Sequence, residues 1–183
     1  EVFGQPVDED APLKPRNPYA ASKAGGDRLA YSYHATYGLP VVITRCSNNY
    51  GPYQYPEKLI PLFVTNAIED QPLPVYGSGR NVRDWIHVED HVLALDRILR
   101  TPGCDGEVFN VGAYNERDVL TIGAGILREL GKPQDLLRQV VDRPGHDRRY
   151  AVAWEKLKER TGWAPRRDFE QGLAETVRWY RDH

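Results

Sequence analysis

The chain has 183 residues, 40% of them hydrophobic and 27% charged, with a formal net charge of −2. That length and mixture build one ordinary core or two small ones, and the slight acidity leaves no basic footprint for nucleic acid or an anionic membrane. No apolar run approaches the ~20 residues that span a bilayer. Cys46 and Cys104 stand far apart and outside any Cys-x-x-Cys pair, which argues against a disulfide scaffold or zinc centre and fits a reducing cytoplasm.

The sequence contains no methionine, and Glu1 opens directly onto Val2-Phe3-Gly4. The expectation is a chain cut from something longer, with a processed mature protein as the alternative. Pro6 to Pro18 is rich in proline and charge and reads as a loop. Asn17-Pro18 then marks a helix start, Asn as the cap and Pro at the first helical position. This helix is predicted to run to Tyr37, where Gly38 stops it and Pro40 follows. Val41 to Thr44 is a β-branched run of the kind that makes a buried parallel strand. Ser47 to Glu57 reads as an irregular loop after it, and ligands of open α/β sheets sit at such strand ends.

The spacing of Leu59, Leu62, Phe63 and Ile68 predicts a helix over 58–69, with Pro61 in its first turn. Leu73 to Tyr76 and Val82 to His87 read as strands joined by turn chemistry at 77–81. Val88 to Leu99 is amphipathic, with Val88, Val92, Leu95, Ile98 and Leu99 on one face. A strand at 108–111, a helix at 119–130 ended by Gly131, a strand at 137–141 and helices at 154–160 and 169–181 complete the chain. Strands alternating with helices make the fold class α/β.

Tyr19 and Lys23, four residues apart, stack a phenol and an ammonium on one helical face. A positive charge beside a phenol favours its anion, which makes a general base. Alone, the pair reads equally as a helix start with a packed phenol and a solvated lysine. No glycine-rich phosphate loop occurs, and Gly123-Ala-Gly125 lies inside a predicted helix. His87 and His91 are four apart but lack the His-Glu-x-x-His order of a zinc helix, so no metal site is expected. Trp85 and Trp154 read as core.

The odds change when the motifs are taken together. They are Glu1-Val-Phe-Gly4, the Tyr-x-x-x-Lys helix, Cys46-Ser-Asn-Asn-Tyr-Gly-Pro-Tyr53, Pro56-Glu-Lys-Leu-Ile-Pro61, the run from Val75 to Trp85, and Asp142-Arg-Pro-Gly-His-Asp-Arg-Arg-Tyr150. At these residues the whole chain resembles the extended short-chain dehydrogenase/reductase family, and within it the dTDP-glucose 4,6-dehydratases. The Asn-Asn-Tyr-Gly-Pro and Tyr-x-x-x-Lys motifs are shared with sugar-nucleotide epimerases and decarboxylases; the 56–61 and 142–150 runs are much more specific to the dehydratases.

The resemblance implies the C-terminal part of a Rossmann-like doubly wound parallel sheet plus a smaller α/β substrate-binding domain. Residues 1–50 would belong to the NAD domain and 51–183 mainly to the sugar-nucleotide domain, with about 82–102 returning to the NAD domain. It implies NAD as cofactor, dTDP-glucose as substrate and a homodimer, in which the small residues Ala20, Ala24 and Gly25 allow close helix approach. Tyr19, Lys23 and Glu1 would be catalytic, Glu1 as the base at sugar C5, and Tyr19, Lys23 and Asn49 would meet the cofactor. Asn48, Glu57, Lys58, Leu59, Ile60, Pro61, Leu62, Pro74, Tyr76, Arg83, Asn110, Arg143, His146 and Tyr150 would contact the substrate, with Arg83 and Arg143 on the diphosphate because a guanidinium fork suits phosphate oxygens. The expected reaction removes water from dTDP-glucose to give a 4-keto-6-deoxy sugar. The rivals are a UDP-sugar dehydratase, a 4-epimerase, or a binding module without catalysis. For the 183 residues alone the expectation is weak NAD affinity, no turnover and exposed apolar faces.

Overall fold

The computed structural model describes residues 4–183; Glu1 to Phe3 lie outside the described residues. Helix α1 (Pro18–Tyr37) starts where Asn17 accepts a hydrogen bond from the Ala20 amide at 2.8 Å, and it ends at Gly38, whose positive φ of 66° suits a residue without a Cβ. It contains no buried residue. An ion pair from Arg45 Nε to Asp27 Oδ2 at 2.7 Å fastens it to the sheet.

The strands form three groups. In the first, β1 (Ile43–Cys46) runs parallel to β5 (Val108–Val111). In the second, β4 (Val82–His87) pairs in parallel with β2 (Asn48–Tyr50) and β8 (Arg149–Tyr150), and antiparallel with β6 (Glu116–Asp118). In the third, β3 (Leu73–Tyr76) runs parallel to β7 (Leu137–Val140). Helices α2 (Leu59–Ile68), α3 (Val88–Leu99), α4 (Val119–Leu130), α5 (Glu155–Thr161) and α6 (Phe169–Asp182) cover these strands.

Two hydrophobic clusters lie on either side of β4. Trp85 joins one with Phe63 of α2, Ile126 of α4, and Phe169 and Leu173 of α6. Ile86 joins the other with Ala94 and Ile98 of α3, Phe109 and Val111 of β5, Leu157 of α5, and Trp163. Successive strand residues point to opposite faces, so one strand serves both cores. Each fully buried Phe, Leu or Ile stabilises the fold by roughly 1.5–3 kcal/mol.

Three expectations need correction. The segment read as a loop after β1 contains β2, which has no periodicity of its own and exists because β4 offers it a ladder. Strand β1 begins at Ile43 and not at Val41, because its partner starts at Val108 and the ladder opens at Ile43↔Val108. Strands β3 and β4 are joined by a turn as expected, and each pairs elsewhere. The buried face of α3 is Asp90, Ala94 and Ile98, while Val92 and Leu99 are exposed. That face turns inward because the Asp90 carboxylate accepts the backbone N–H groups of Arg166 and Arg167 at 3.0 and 2.9 Å.

Candidate active site

Tyr19 and Lys23 lie one turn apart at the exposed start of α1, with Tyr19 75% exposed. Lys23 stands within electrostatic reach of the Cys46 thiol at the carboxyl end of β1, and Tyr19 within reach of Lys58. The segment after β1 carries Asn48 and Asn49, and Tyr150 donates its hydroxyl to the Cys46 carbonyl at 3.3 Å. Lys23 and Tyr150 thus approach Cys46 at the carboxyl end of β1, with Asn48 two residues further along the chain and Tyr19 one helical turn before Lys23. Glu1 falls outside the described residues.

Beyond Asn48 opens a cleft of about 100 Å³ lined by Leu59, Tyr76, Asn81, Arg83, Trp85, Arg117, Val119, Arg143 and His146. Arg143 stacks its guanidinium 5.4 Å from the centre of the Tyr76 ring. Its Nη2 donates to His146 Nε2 at 3.0 Å, and His146 Nδ1 donates to the Asp142 carboxylate at 2.7 Å. The His146 hydrogen bond, joined by the Arg143 backbone N–H, holds the Asp142 carboxyl below its ordinary pKa. Arg83 is half-buried, and that burial pushes its guanidinium pKa down; its Nη2 donates to the Asp147 carbonyl at 2.9 Å, as does Asn81 Nδ2. Two guanidiniums flanked by an aromatic ring suit an anionic group attached to a planar one.

Several expected contacts are placed elsewhere. Within 57–62 only Leu59 lines the cleft: Ile60 and Pro61 are buried in the α2 core, Leu62 is half-buried, and Glu57 and Lys58 form an exposed ion pair at 2.9 Å. Pro74 is half-buried on β3 and outside the lining. Asn110 is 2% exposed and is not brought to the cleft; its Nδ2 donates to the Val7 carbonyl at 2.9 Å. Asn49 is committed inward. Its Nδ2 donates to the Ser47 carbonyl at 3.2 Å, which orients the amide so that Oδ1 accepts from His91 Nδ1 at 2.8 Å.

Arg117, Asn81 and Val119 were missed by sequence reasoning. Arg117 reaches the cleft because it stands opposite Arg83 in the β4–β6 register. A three-residue strand leaves no periodic signal, and the sequence offers only the polar run 115–118. A larger cavity of about 720 Å³ lies between residues 9–15, α1 and the start of β5, and it touches none of the expected site residues. Among the described residues no group of three or more His, Cys, Asp or Glu gathers to hold a metal, and no helix is long and apolar enough to cross a membrane.

The family model described as GDP-mannose 4,6 dehydratase matches residues 1–176. A dTDP-glucose 4,6-dehydratase of Streptomyces niveus is 52% identical, and the match covers all of this chain and 55% of that relative. Among solved structures, the dTDP-glucose 4,6-dehydratase of Bacillus anthracis in complex with NAD aligns with a TM-score of 0.93 at 52% identity, over 98% of this chain and 57% of that one. The Streptomyces venezuelae enzyme, with NAD and TYD bound, aligns with a TM-score of 0.96 at 47% identity, over 100% and 56%. The chain therefore spans little more than half the length of the relatives it matches, and its α/β architecture is Rossmann-like as theirs is. On this match of sequence and fold, the chain belongs to the GDP-mannose 4,6 dehydratase family.

Proposed function

We propose that the full-length polypeptide carrying this chain dehydrates dTDP-glucose to dTDP-4-keto-6-deoxyglucose with NAD as its cofactor. The observation that carries this reading is the arginine–tyrosine cleft lined in part by Asn48, two residues beyond Cys46, which Lys23 and Tyr150 approach. The named enzymes in complex with NAD, one of them also with TYD, add their weight.

Tyr19 takes the proton of the sugar C4 hydroxyl, and the Lys23 ammonium one turn away stabilises the phenolate. NAD, when bound, supplies the oxidation at C4 and the matching reduction at C6. The 4-keto group acidifies the C5 hydrogen, which Glu1 removes, while the C6 hydroxyl takes a proton from a second acidic group of the full-length polypeptide and departs as water. Arg83 and Arg143 hold the diphosphate, and Tyr76 walls the base. The exposed heads of Tyr19 and Lys23 suit a cofactor lying across the strand ends. Asn49, its amide bonded to Ser47 and His91, serves by fixing the floor of that site.

The proposed division gives residues up to 50 and about 82–102 to the NAD domain and the remainder mainly to the sugar nucleotide; the packing of Ile86, Ala94 and Ile98 with Phe109, Val111, Leu157 and Trp163 favours placing those later segments on the NAD side as well. Helix α1, without a buried residue and with open space around Gly25 and Gly26, suits docking onto a second copy in a homodimer. The free thiols of Cys46 and Cys104 suit the reducing cytoplasm.

The test incubates the full-length polypeptide with NAD and either dTDP-glucose or UDP-glucose and weighs the sugar nucleotide. Loss of one water from dTDP-glucose, with little from UDP-glucose, is expected. An unchanged mass with both sugars overturns the reading and favours epimerisation or binding alone.

A further inference from the structure

The segment running from Gly4 towards α1 is fastened along its length to the exit of the 142–150 loop. Val7 donates its N–H to the Ala151 carbonyl at 3.1 Å and accepts from the Ala153 N–H at 2.9 Å, a parallel bridge to Val152. Glu9 follows, its side chain accepting the Asn110 N–H at 2.8 Å and its carbonyl accepting Arg45 Nη1 at 2.9 Å. At the near end stands Arg149. Its Nε and Nη2 grip both oxygens of Glu116 at 2.6 Å each, and its remaining Nη1 donates to the Gly4 carbonyl.

Arg149 also belongs to β8, two residues beyond Asp147. The Asp147 carbonyl is held by Arg83 and Asn81 of the cleft, and the neighbouring Arg148 carbonyl accepts the Val82 N–H at 2.8 Å. One guanidinium thus joins the loop that carries Arg143 and His146, strand β6 that carries Arg117, and the segment leading out of Glu1. Only arginine does this, because its planar fork offers a bidentate face to a carboxylate and still leaves a donor over. Lysine keeps a single point of attachment.

We propose that Arg149 is a positioning residue that locks residues 4–10, which in sequence lie between Glu1 and Tyr19, onto the nucleotide-holding loop, so that a nucleotide seated at one end sets the acid–base groups at the other. The proposal rests on the dehydratase reading for the roles of Glu1 and of the cleft. Nucleotide binding tightens the 142–150 loop through Arg143, His146 and Arg83, and the Arg149–Gly4 and Val7–Val152 links carry that order into residues 4–10. Replacing Arg149 severs the first link and leaves the cleft residues in place.

Two readouts on the full-length protein separate this from a role in folding alone. Backbone hydrogen exchange is followed in residues 4–10, with and without dTDP, in wild type, Arg149→Gln, Arg149→Lys and Glu116→Gln. In wild type dTDP slows exchange there; in Arg149→Gln it still binds, with Kd within about threefold, and the slowing is lost. Arg149→Lys recovers folding and only part of the response, and Glu116→Gln, which keeps the guanidinium but weakens its anchor, falls between. In the second readout, turnover of dTDP-glucose in Arg149→Gln falls at least about tenfold with KM within about threefold. Borodeuteride quenching of the same reactions reveals a 4-keto hexose that has kept its water, because proton removal at C5 is slowed more than oxidation at C4.

An unchanged exchange response in Arg149→Gln overturns the proposal, and so does a raised KM with kcat intact. If wild type leaves dTDP-glucose untouched, the dehydratase reading fails, and the exchange response to dTDP still decides whether Arg149 couples the two segments.

Discussion

Tyr50 is 1% exposed, and its hydroxyl finds no hydrogen-bond partner among the described residues. It packs edge-on to His87 and against Phe169, and a Cβ placed on Gly172 of α6 would come within 2.5 Å of the hydroxyl oxygen. Gly172 is therefore set by close approach, since its backbone needs no special φ. Burial, with Asp90 and Asp168 adding to it, pushes the phenol pKa upward, so Tyr50 stays neutral and packs as a large apolar ring. A buried polar atom left unpaired costs about 1–3 kcal/mol. Tyr50→Phe is expected to leave stability unchanged or raise it by up to about 1 kcal/mol, whereas Gly172→Ala costs about 1–3 kcal/mol by overpacking. The double variant loses less than the sum, by roughly 0.5 kcal/mol or more, because removing the oxygen relieves the clash. Urea midpoints at constant slope measure all three; additive effects would refute the contact.

Among the elements, α1 depends most on a single tie. With no residue buried, its attachment to β1 falls to the Asp27–Arg45 pair, both side chains largely shielded from solvent. Burial raises the Asp27 carboxyl pKa, but the hydrogen bonds and charges of Arg45 and Arg28 outweigh it and hold the group below its ordinary value. A carboxylate with a depressed folded pKa adds stability above its unfolded value of about 3.9, and that addition is lost as pH falls through the folded value. Asp27→Asn is accordingly expected to lower the melting temperature at pH 7, with the gap to wild type narrowing as pH falls below about 3.9 towards the depressed folded value. Melting curves from pH 7 down to pH 2 test this, and a gap that does not narrow at all over that range would mean that Asp27 acts by packing and not by charge.

On the scale of the whole molecule, β4 organises the site. Its amino half meets β6 and β8, bringing Arg83, Arg117 and the 142–150 loop together, and its carboxyl half meets β2, bringing in Asn48. The cleft gathers positive charge on Arg83, Arg117 and Arg143, although the whole chain carries −2. On the proposed reading, binding of dTDP by the full-length polypeptide is expected to weaken about tenfold or more in Arg143→Ala, and to weaken less steeply with added salt than in wild type, because one screened contact is gone. Titration calorimetry at two salt concentrations decides it. Equal salt slopes would remove Arg143 from the diphosphate.

The sequence by itself determined what local chemistry dictates. Asn17-Pro18 begins α1 and Gly38 ends it; Gly131 ends α4 with a positive φ. The run from Val75 to Trp85 and the run from Asp142 to Tyr150 supply the cleft with Tyr76, Arg83, Arg143 and His146. Each of these follows from residue type and short spacing, and in the motif runs the resemblance did the rest. The tertiary structure decided everything that depends on a distant partner. Strand β2 exists because β4 pairs with it, and α3 buries Asp90 because residues 166 and 167 present two amides to it. Arg117 enters the cleft through a ladder across thirty-odd residues of chain. Asn110 and Asn49 look like free ligands in sequence, yet their amides are committed to Val7 and to Ser47 and His91. A hydrogen-bonding side chain has no inherent direction, and only the partner that folding brings within about 3 Å determines whether it holds the protein or the ligand.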